Sequence, residues 1–193
     1  MKKYFYIFAF ALSCQTLCSQ LISEGKSGSR IVEPAQVRVN LLSPGVDFEI
    51  GLFKNQTVYG GVGLGLAYYE EGYVFGLALN SQYRYYHNLQ RRIRNDKFIA
   101  GNSGNYIGAA RTIFFDQLII ANDIPFKDFN VGYYGLIYGI QRTYPKGFSF
   151  DVSTGVGYYL GDGVPSGYGP ILNLKVGWVL TKRKKKAIYF KEN

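Results

Sequence analysis

The sequence predicts an all-β protein, more specifically an eight-stranded antiparallel transmembrane β-barrel. Three observations lead to this prediction: eight segments alternate between large and small residues, the large residues are mostly apolar, and the opposite face is rich in glycine and charge. Successive side chains of a strand point to opposite faces, so each segment has one apolar and one polar face. An outer-membrane barrel needs this arrangement because its outside contacts lipid and its inside is polar. A soluble barrel needs the reverse.

The alternation is clearest over residues 148–160. One face of this segment carries Phe148, Phe150, Val152, Thr154, Val156, Tyr158 and Leu160. The other face carries Ser149, Asp151, Ser153, Gly155, Gly157 and Tyr159. Further strands are expected at about 36–41, 46–52, 58–68, 73–85, 105–115, 134–141 and 172–180. Eight strands make the smallest common closed barrel, and its lumen is just wide enough for side chains to fill.

Charged residues on the small faces are predicted to form a polar network in the lumen. They are Arg38, Asp47, Glu49, Arg84, Arg111, Asp151 and Lys175. Placing Arg111 inside depends on assigning Tyr106, Ala110 and Phe114 to the outer face of the fifth strand. Both signs are expected together, because an unpaired buried charge is costly. The network is therefore predicted to be structural, with no catalytic residue.

Tyrosines are expected at the two membrane–water interfaces. The chain has 18 of them, and many are adjacent pairs near the ends of the expected strands. These pairs are Tyr68-Tyr69, Tyr85-Tyr86, Tyr133-Tyr134 and Tyr158-Tyr159. Because outer-membrane barrels carry aromatic girdles at both interfaces, the pairs are predicted to belong to such girdles.

The first residues are expected to be a secretory signal peptide spanning 1–19. Lys2 and Lys3 supply its positive start, and residues 4–12 are apolar but too few to span a bilayer as a helix. Cleavage is expected between Ser19 and Gln20. A flexible periplasmic lead-in over 20–35, the barrel over 36–180 and a basic periplasmic tail over 181–193 are expected to follow.

Both cysteines, Cys14 and Cys18, fall within the expected signal peptide. The exported chain would then contain no disulfide and no thiolate metal site. An alternative is a lipoprotein anchored through Cys14. Ordinary cleavage is favoured, because residues 11–13 match a lipoprotein signal only loosely.

The formal net charge is +9, and much of the excess lies in two basic clusters, 91–97 and 182–186. In a cytosolic protein the second cluster would suggest nucleic-acid binding. Behind a signal peptide it is expected to be a solvated tail near anionic lipid headgroups. No nucleic-acid partner is predicted.

The connection over 87–104 is long for a periplasmic turn, since such turns are normally short. Leu89 and Ile93 are four residues apart among arginines, which predicts a short amphipathic helix. Either this turn is an exception or the strand count is wrong by one.

No motif predicts a catalytic, cofactor or metal site. His87 is the only histidine, and it is expected at the periplasmic interface beside Tyr85 and Tyr86. The glycines of 61–65 lie within a strand, without the following helix that a phosphate-binding loop requires. A metal site is not expected with one histidine and no cysteine after cleavage.

Two stretches carry a family resemblance. Residues 39–49 (VNLLSPGVDFE), and residues 83–89 (YRYYHNL) followed by 101–106 (GNSGNY), resemble small outer-membrane β-barrel proteins of gram-negative bacteria. The resemblance implies location in the cell outer membrane, contact with its lipid, and insertion by the barrel assembly machinery. The family is largely uncharacterised, so no catalytic residue or cofactor is transferred.

The expected function is non-enzymatic: a structural or surface-binding barrel whose lumen is filled with side chains. Loops 117–130 and 161–169 are the candidate outward surfaces for an external ligand. One alternative is a lipid-modifying outer-membrane barrel enzyme that uses His87. The other is a soluble exported lipocalin-like ligand binder. It would need bulky residues at the positions of Gly61, Gly63, Gly65, Gly155 and Gly157.

Overall fold

A computed structural model describes residues 30–69, 72–115, 120–122, 130–162 and 166–181. In chain order its elements are β1 (Ala35–Leu42), β2 (Gly45–Phe53), β3 (Gln56–Tyr69), β4 (Gly72–Tyr86), α1 (Leu89–Arg94), β5 (Gly104–Phe115), β6 (Ile120–Asn122), β7 (Asn130–Thr143), β8 (Phe148–Asp162) and β9 (Gly167–Val179). The predicted signal peptide, its cleavage at Ser19 and Gln20, Cys14 and most of the tail lie outside these residues. Within them, no helix is long and apolar enough to cross a membrane.

Eight strands form one antiparallel sheet that closes in a ring. Each ring strand pairs with the next, in the order β1, β2, β3, β4, β5, β7, β8 and β9. The ring closes where β9 pairs back onto β1, with Val39 opposite Trp178 and Asn40 opposite Gly177. The predicted all-β class and the eight antiparallel strands are therefore confirmed.

Several strands are longer than the sequence predicts. Strand β7 begins at Asn130 instead of about 134, and both β8 and β9 extend into the loop expected at 161–169. The short strand β6 lies in the loop expected at 117–130, and it pairs with the start of β4 on the edge that pairs with β5 further along. The helix expected around Leu89 and Ile93 is present as α1.

The two faces of the ring differ sharply in chemistry. Large apolar side chains stand exposed on the outer face, among them Leu136 at 69%, Val156 at 71% and Leu172 at 73% exposure. The inner face buries polar groups, including Arg84 and Gln141, which are 1% and 0% exposed. Since neighbouring residues of a strand alternate between faces, this difference runs around the whole ring.

One end of the ring is closed by chain that folds back over it. Residues 30–34 and 100–103 lie across this end, and Ile31, Val32 and Leu89 are buried there. They belong to an apolar cluster that continues into the ring through Tyr86, Tyr106, Ala110, Tyr133 and Ile137. The long connection over 87–104 therefore covers one end of the ring, and the ring keeps the eight strands expected. Of the predicted lead-in over 20–35, the described residues 30–35 are packed at this end.

Gly139 lies in a crowded part of the interior. A Cβ at this position would overlap the ring of Tyr106, which reaches across from β5. Gly167, at the opposite end of the ring, has no heavy atom within 4 Å of such a Cβ. Glycine is therefore needed at 139 to leave room for a buried aromatic ring, whereas position 167 has space for a larger side chain.

We expect Gly139→Ala to lower the free energy of unfolding by about 1–3 kcal/mol, because overpacking displaces the Tyr106 ring. The matched control Gly167→Ala should leave stability nearly unchanged. Urea unfolding followed by the fluorescence of Trp178, the only tryptophan of the chain, measures both. Equal unfolding midpoints for the two variants would contradict this account of the packing.

Candidate functional site

Six of the seven charged residues predicted for the interior meet inside the ring. The closest ion pairs join Arg84 Nη1 to Asp151 Oδ2 and Lys175 Nζ to Asp47 Oδ1, each at 2.9 Å. Arg38 lies among three carboxylates, 3.7 Å from Asp151, 3.9 Å from Asp47 and 4.0 Å from Glu49. Three cations therefore face three carboxylates, and the formal charges of this cluster sum to zero. We call these six residues the charged cluster.

Strand register brings part of the charged cluster together. Arg38 lies opposite Asp47 on the β1–β2 pair, and Asp151 lies opposite Lys175 on the β8–β9 pair. Lys175 on β9 nevertheless makes its ion pair with Asp47 on β2, although β1 lies between β9 and β2 in the sheet. The charged cluster therefore connects strands that are not neighbours in the sheet.

Arg84 is at the centre of the charged cluster. Its guanidinium lies between two aromatic rings, 3.9 Å from the centroid of Tyr59 and 4.3 Å from that of Tyr106. Arg84 Nη1 also donates a hydrogen bond to Gln141 Oε1 at 2.9 Å. Tyr106 donates to Asp151 Oδ1 at 2.7 Å, so one aromatic ring contacts both members of the closest arginine–carboxylate pair.

Neutral side chains donate hydrogen bonds to two carboxylates of the charged cluster. Glu49 accepts hydrogen bonds from Tyr86 at 2.7 Å and from Thr57 at 2.6 Å. Asn40 donates to Asp47 at 2.7 Å. Because these donors carry no charge, they stabilise the carboxylates without changing the charge balance.

The sequence prediction missed the buried tyrosines. Tyr86 and Tyr133 are both 0% exposed and point inward, although each was expected in an outer girdle as part of a pair. Adjacent residues of a strand face opposite sides, so only one tyrosine of each pair can lie outside. The alternation of side chains along each strand could have identified the inward tyrosines, because it assigns Tyr85 and Tyr134 to the outer face.

Arg111 does not belong to the charged cluster, and its predicted place in the interior is wrong. It is exposed on the outer face of β5, with its guanidinium 5.2 Å from the ring centroid of Tyr134. The inner face of this strand carries Tyr106, Ala110 and Phe114 instead. The bulk of Tyr106 fits inside because Gly139 on the neighbouring strand leaves room for its ring.

A cavity of about 1140 Å³ opens above the charged cluster, at the end opposite the folded-back chain. Asn40, Asp47 and Lys175 line its floor. Its walls include Phe114 and Ile171, together with several glycines of β3 and β9. The cavity thus combines a polar floor with largely apolar walls. Ligand sites commonly pair apolar walls with a few placed polar groups.

The other end of the interior is sealed by hydrogen bonds. The backbone N–H of Glu33 donates to Asn102 Oδ1 at 2.7 Å, and that of Gly101 donates to Glu33 Oε1 at 2.9 Å. Gln141 then donates to the carbonyl oxygen of Gly101 at 2.9 Å. The folded-back chain is therefore bonded to itself and to the ring wall, and it covers the end of the ring opposite the cavity.

His87 lies far from the cavity in the fold. It follows the last residue of β4 at the closed end, is exposed, and its ring centroid is 5.8 Å from that of Tyr138. Among the described residues, no group of three or more His, Cys, Asp or Glu side chains could hold a metal ion. The glycines of 61–65 lie within β3, as the sequence indicated.

No protein-family model, curated protein or solved structure matches this chain. No activity, partner or site residue is therefore transferred to it from a relative. The chemistry of the charged cluster, the cavity and the outer face carries the functional interpretation.

We expect Arg84→Gln to lower the free energy of unfolding by about 3–5 kcal/mol, because Asp151 and Glu49 lose a buried cation. Arg111→Gln is the matched control, since it removes an exposed arginine from a ring strand. It should change stability little. Urea unfolding compares the two variants. If Arg84→Gln proves as mild as the control, the charged cluster does not hold the interior together.

Proposed function

We propose that this chain is an outer-membrane β-barrel without enzymatic activity, with a filled lumen and a binding surface at its loop end. The observation that carries this proposal is the inverted distribution of side chains, apolar outside and charged inside. A hydrocarbon environment around the strands accounts for both faces at once.

The outer face supports the membrane setting. Fully burying one large apolar side chain contributes about 1.5–3 kcal/mol, so a ring that left so many in water would be poorly stabilised. Those exposed on the outer face include Val39, Val46, Phe48, Val58, Val62, Ile107, Leu136, Ile140, Val156, Leu160, Leu172 and Leu174. Lipid removes this surface from water in the same way that a protein core does.

Aromatic side chains support the same placement. Phe148 and Trp178 lie on the outer side near the closed end, with ring centroids 5.5 Å apart. Tyr158 and Tyr168 form a second pair near the loop end, with centroids 5.0 Å apart. Two such levels are expected for girdles at the two membrane–water interfaces.

A filled lumen favours binding over conduction. The charged cluster and the buried tyrosines occupy the middle of the ring, and the folded-back chain seals one end. An ion crossing the barrel would have to break several buried ion pairs. The cavity at the other end remains available to a ligand, and on this proposal it faces the cell exterior.

The alternatives fit the geometry less well. A lipid-modifying enzyme that uses His87 would have its histidine at one end of the barrel and its cavity at the other. A soluble lipocalin-like binder would expose the apolar outer face to water. Its interior would also need large side chains at five inward positions where this chain has glycine, namely Gly61, Gly63, Gly65, Gly155 and Gly157.

We expect the protein to fractionate with the outer membrane and to shift its gel mobility after boiling in detergent. The physical reason is that a closed barrel keeps its paired backbone in unheated detergent. Electrophoresis of outer-membrane fractions with and without boiling makes the measurement. Recovery as a soluble periplasmic protein without a mobility shift would refute the membrane proposal.

We further expect no conductance of large-pore size when the purified protein is inserted in planar bilayers. The Arg84→Gln variant, once folded, should also show no large-pore conductance, because the folded-back chain still seals the closed end. Steady large-pore currents from the unmodified protein would overturn the filled-lumen part of the proposal while leaving membrane insertion intact.

A further inference from the structure

Among the described residues, the wall of the ring is incomplete on one side. The hairpin of β1 and β2 turns at residues 43–44, whereas β3 continues to Tyr69 and β9 begins at Gly167. Beyond the hairpin, the described residues of β3 pair only with β4, and residues 167–175 of β9 pair only with β8. We call this opening the side gap. It is about two strands, or roughly 10 Å, wide at the usual strand spacing.

The lower edge of the side gap is held firmly. The backbone N–H of Leu64 donates to the carbonyl oxygen of Pro44 at 2.9 Å, and Ser43 Oγ donates to the carbonyl oxygen of Leu174 at 3.0 Å. The hairpin tip is thus tied to both flanking strands. Pro170 stands in the edge part of β9, the position in a sheet where proline is tolerated.

The cavity extends through the side gap. Its lining includes Asn80 and Phe114, which face the interior, and Val62, Leu172 and Leu174, which face outward. A molecule could therefore pass from the outer face of the ring to the space above the charged cluster without crossing a paired strand.

The side gap lies at the depth of the apolar outer face. Leu172, Leu174 and Val62 border it, and their side chains are 73%, 45% and 45% exposed. The aromatic pair of Tyr158 and Tyr168 lies at the loop end of this opening. If that pair marks the interface, the part of the side gap beside residues 170–175 of β9 opens toward hydrocarbon and not toward water.

The cavity also has a polar group with no partner. Asn40 is 3% exposed and lines the floor, and its Oδ1 makes no hydrogen bond within the described residues. Its Nδ2 is already committed to Asp47. Because this oxygen has almost no accessible surface, it belongs to the buried polar interior under the cavity and is not an open hydrogen-bonding site.

We infer that the side gap admits a hydrocarbon chain of a membrane lipid from the bilayer into the cavity. This inference rests on the proposed function, because it requires the ring to stand in a membrane. The apolar rim matches the chain, and the lipid's carbonyl oxygens can accept from the unpaired edge N–H groups of β3 and β9. Unpaired backbone is tolerated in a membrane only where it is covered or lines a cavity.

The test places single tryptophans in three settings. In a Trp178→Phe background, Phe114→Trp reports on the cavity and Leu136→Trp on the lipid-facing surface. Tyr133→Trp reports on the interior behind an unbroken wall, and its hydroxyl has no hydrogen-bond partner among the described residues. Each variant is reconstituted in phosphatidylcholine vesicles whose acyl chains carry bromine at mid-chain, which quenches nearby tryptophan.

If lipid enters, Phe114→Trp should lose a fraction of its emission comparable with that of Leu136→Trp, and Tyr133→Trp should lose much less. Equal, weak quenching of the Phe114→Trp and Tyr133→Trp variants would overturn the inference. Quenching of Phe114→Trp by aqueous acrylamide but not by brominated lipid would indicate a water-filled cavity and would also overturn the inference. No quenching of Phe114→Trp by either agent would indicate a cavity covered by protein, with the same consequence.

The controls separate the two proposals. Failure of the lipid to quench Leu136→Trp would mean that the ring is not in the bilayer, and the proposed function itself would fail. If lipid quenches Leu136→Trp but not Phe114→Trp, the inference that lipid enters the cavity fails, and the proposal that the ring stands in a membrane is kept. If Phe114→Trp does not fold, Ile171→Trp on the β9 wall of the cavity is the second reporter, with the same expected outcomes.

Discussion

Burial of charge is the constraint on which the rest of the structure depends. Arg84 lies 1% exposed between two tyrosine rings and against Asp151, so its position requires partners from several strands at once. Those partners determine where tyrosines can point and where glycine must make room. The apolar outer face is the counterpart of this interior, since a small ring filled with charge has space for little hydrophobic core.

Much of the architecture could be predicted from the alternation of side chains, because a period of two is a local property of each strand. The charged residues of β1, β2 and β8 follow it, and they meet as expected. The fifth strand was misassigned because both of its faces carry bulk, with Tyr106 on one side and Arg111 on the other. Only the neighbouring Gly139, a partner distant in sequence, decides which residue fits inside.

The closed end and the side gap were beyond a strand-by-strand prediction for a different reason. Both depend on how far strands extend relative to their neighbours, and register is a property of pairs. The polar composition of residues 20–35 suggested flexibility, yet Ile31 and Val32 are buried where the ring needs a cover. The connection over 87–104, which is long for a turn between neighbouring strands, supplies the other half of that cover.

The short seam between β1 and β9 bears on how the ring assembles. It joins segments from opposite ends of the described chain, with Thr181 Oγ1 accepting from the N–H of Val37 across 144 positions in sequence. Every other neighbouring pair consists of consecutive ring strands, whose closure costs less entropy. Contacts this distant form slowly. Until its first and last strands meet, the sheet is a ribbon with two free edges, and the pairing of β1 with β9 is the step that turns it into a ring.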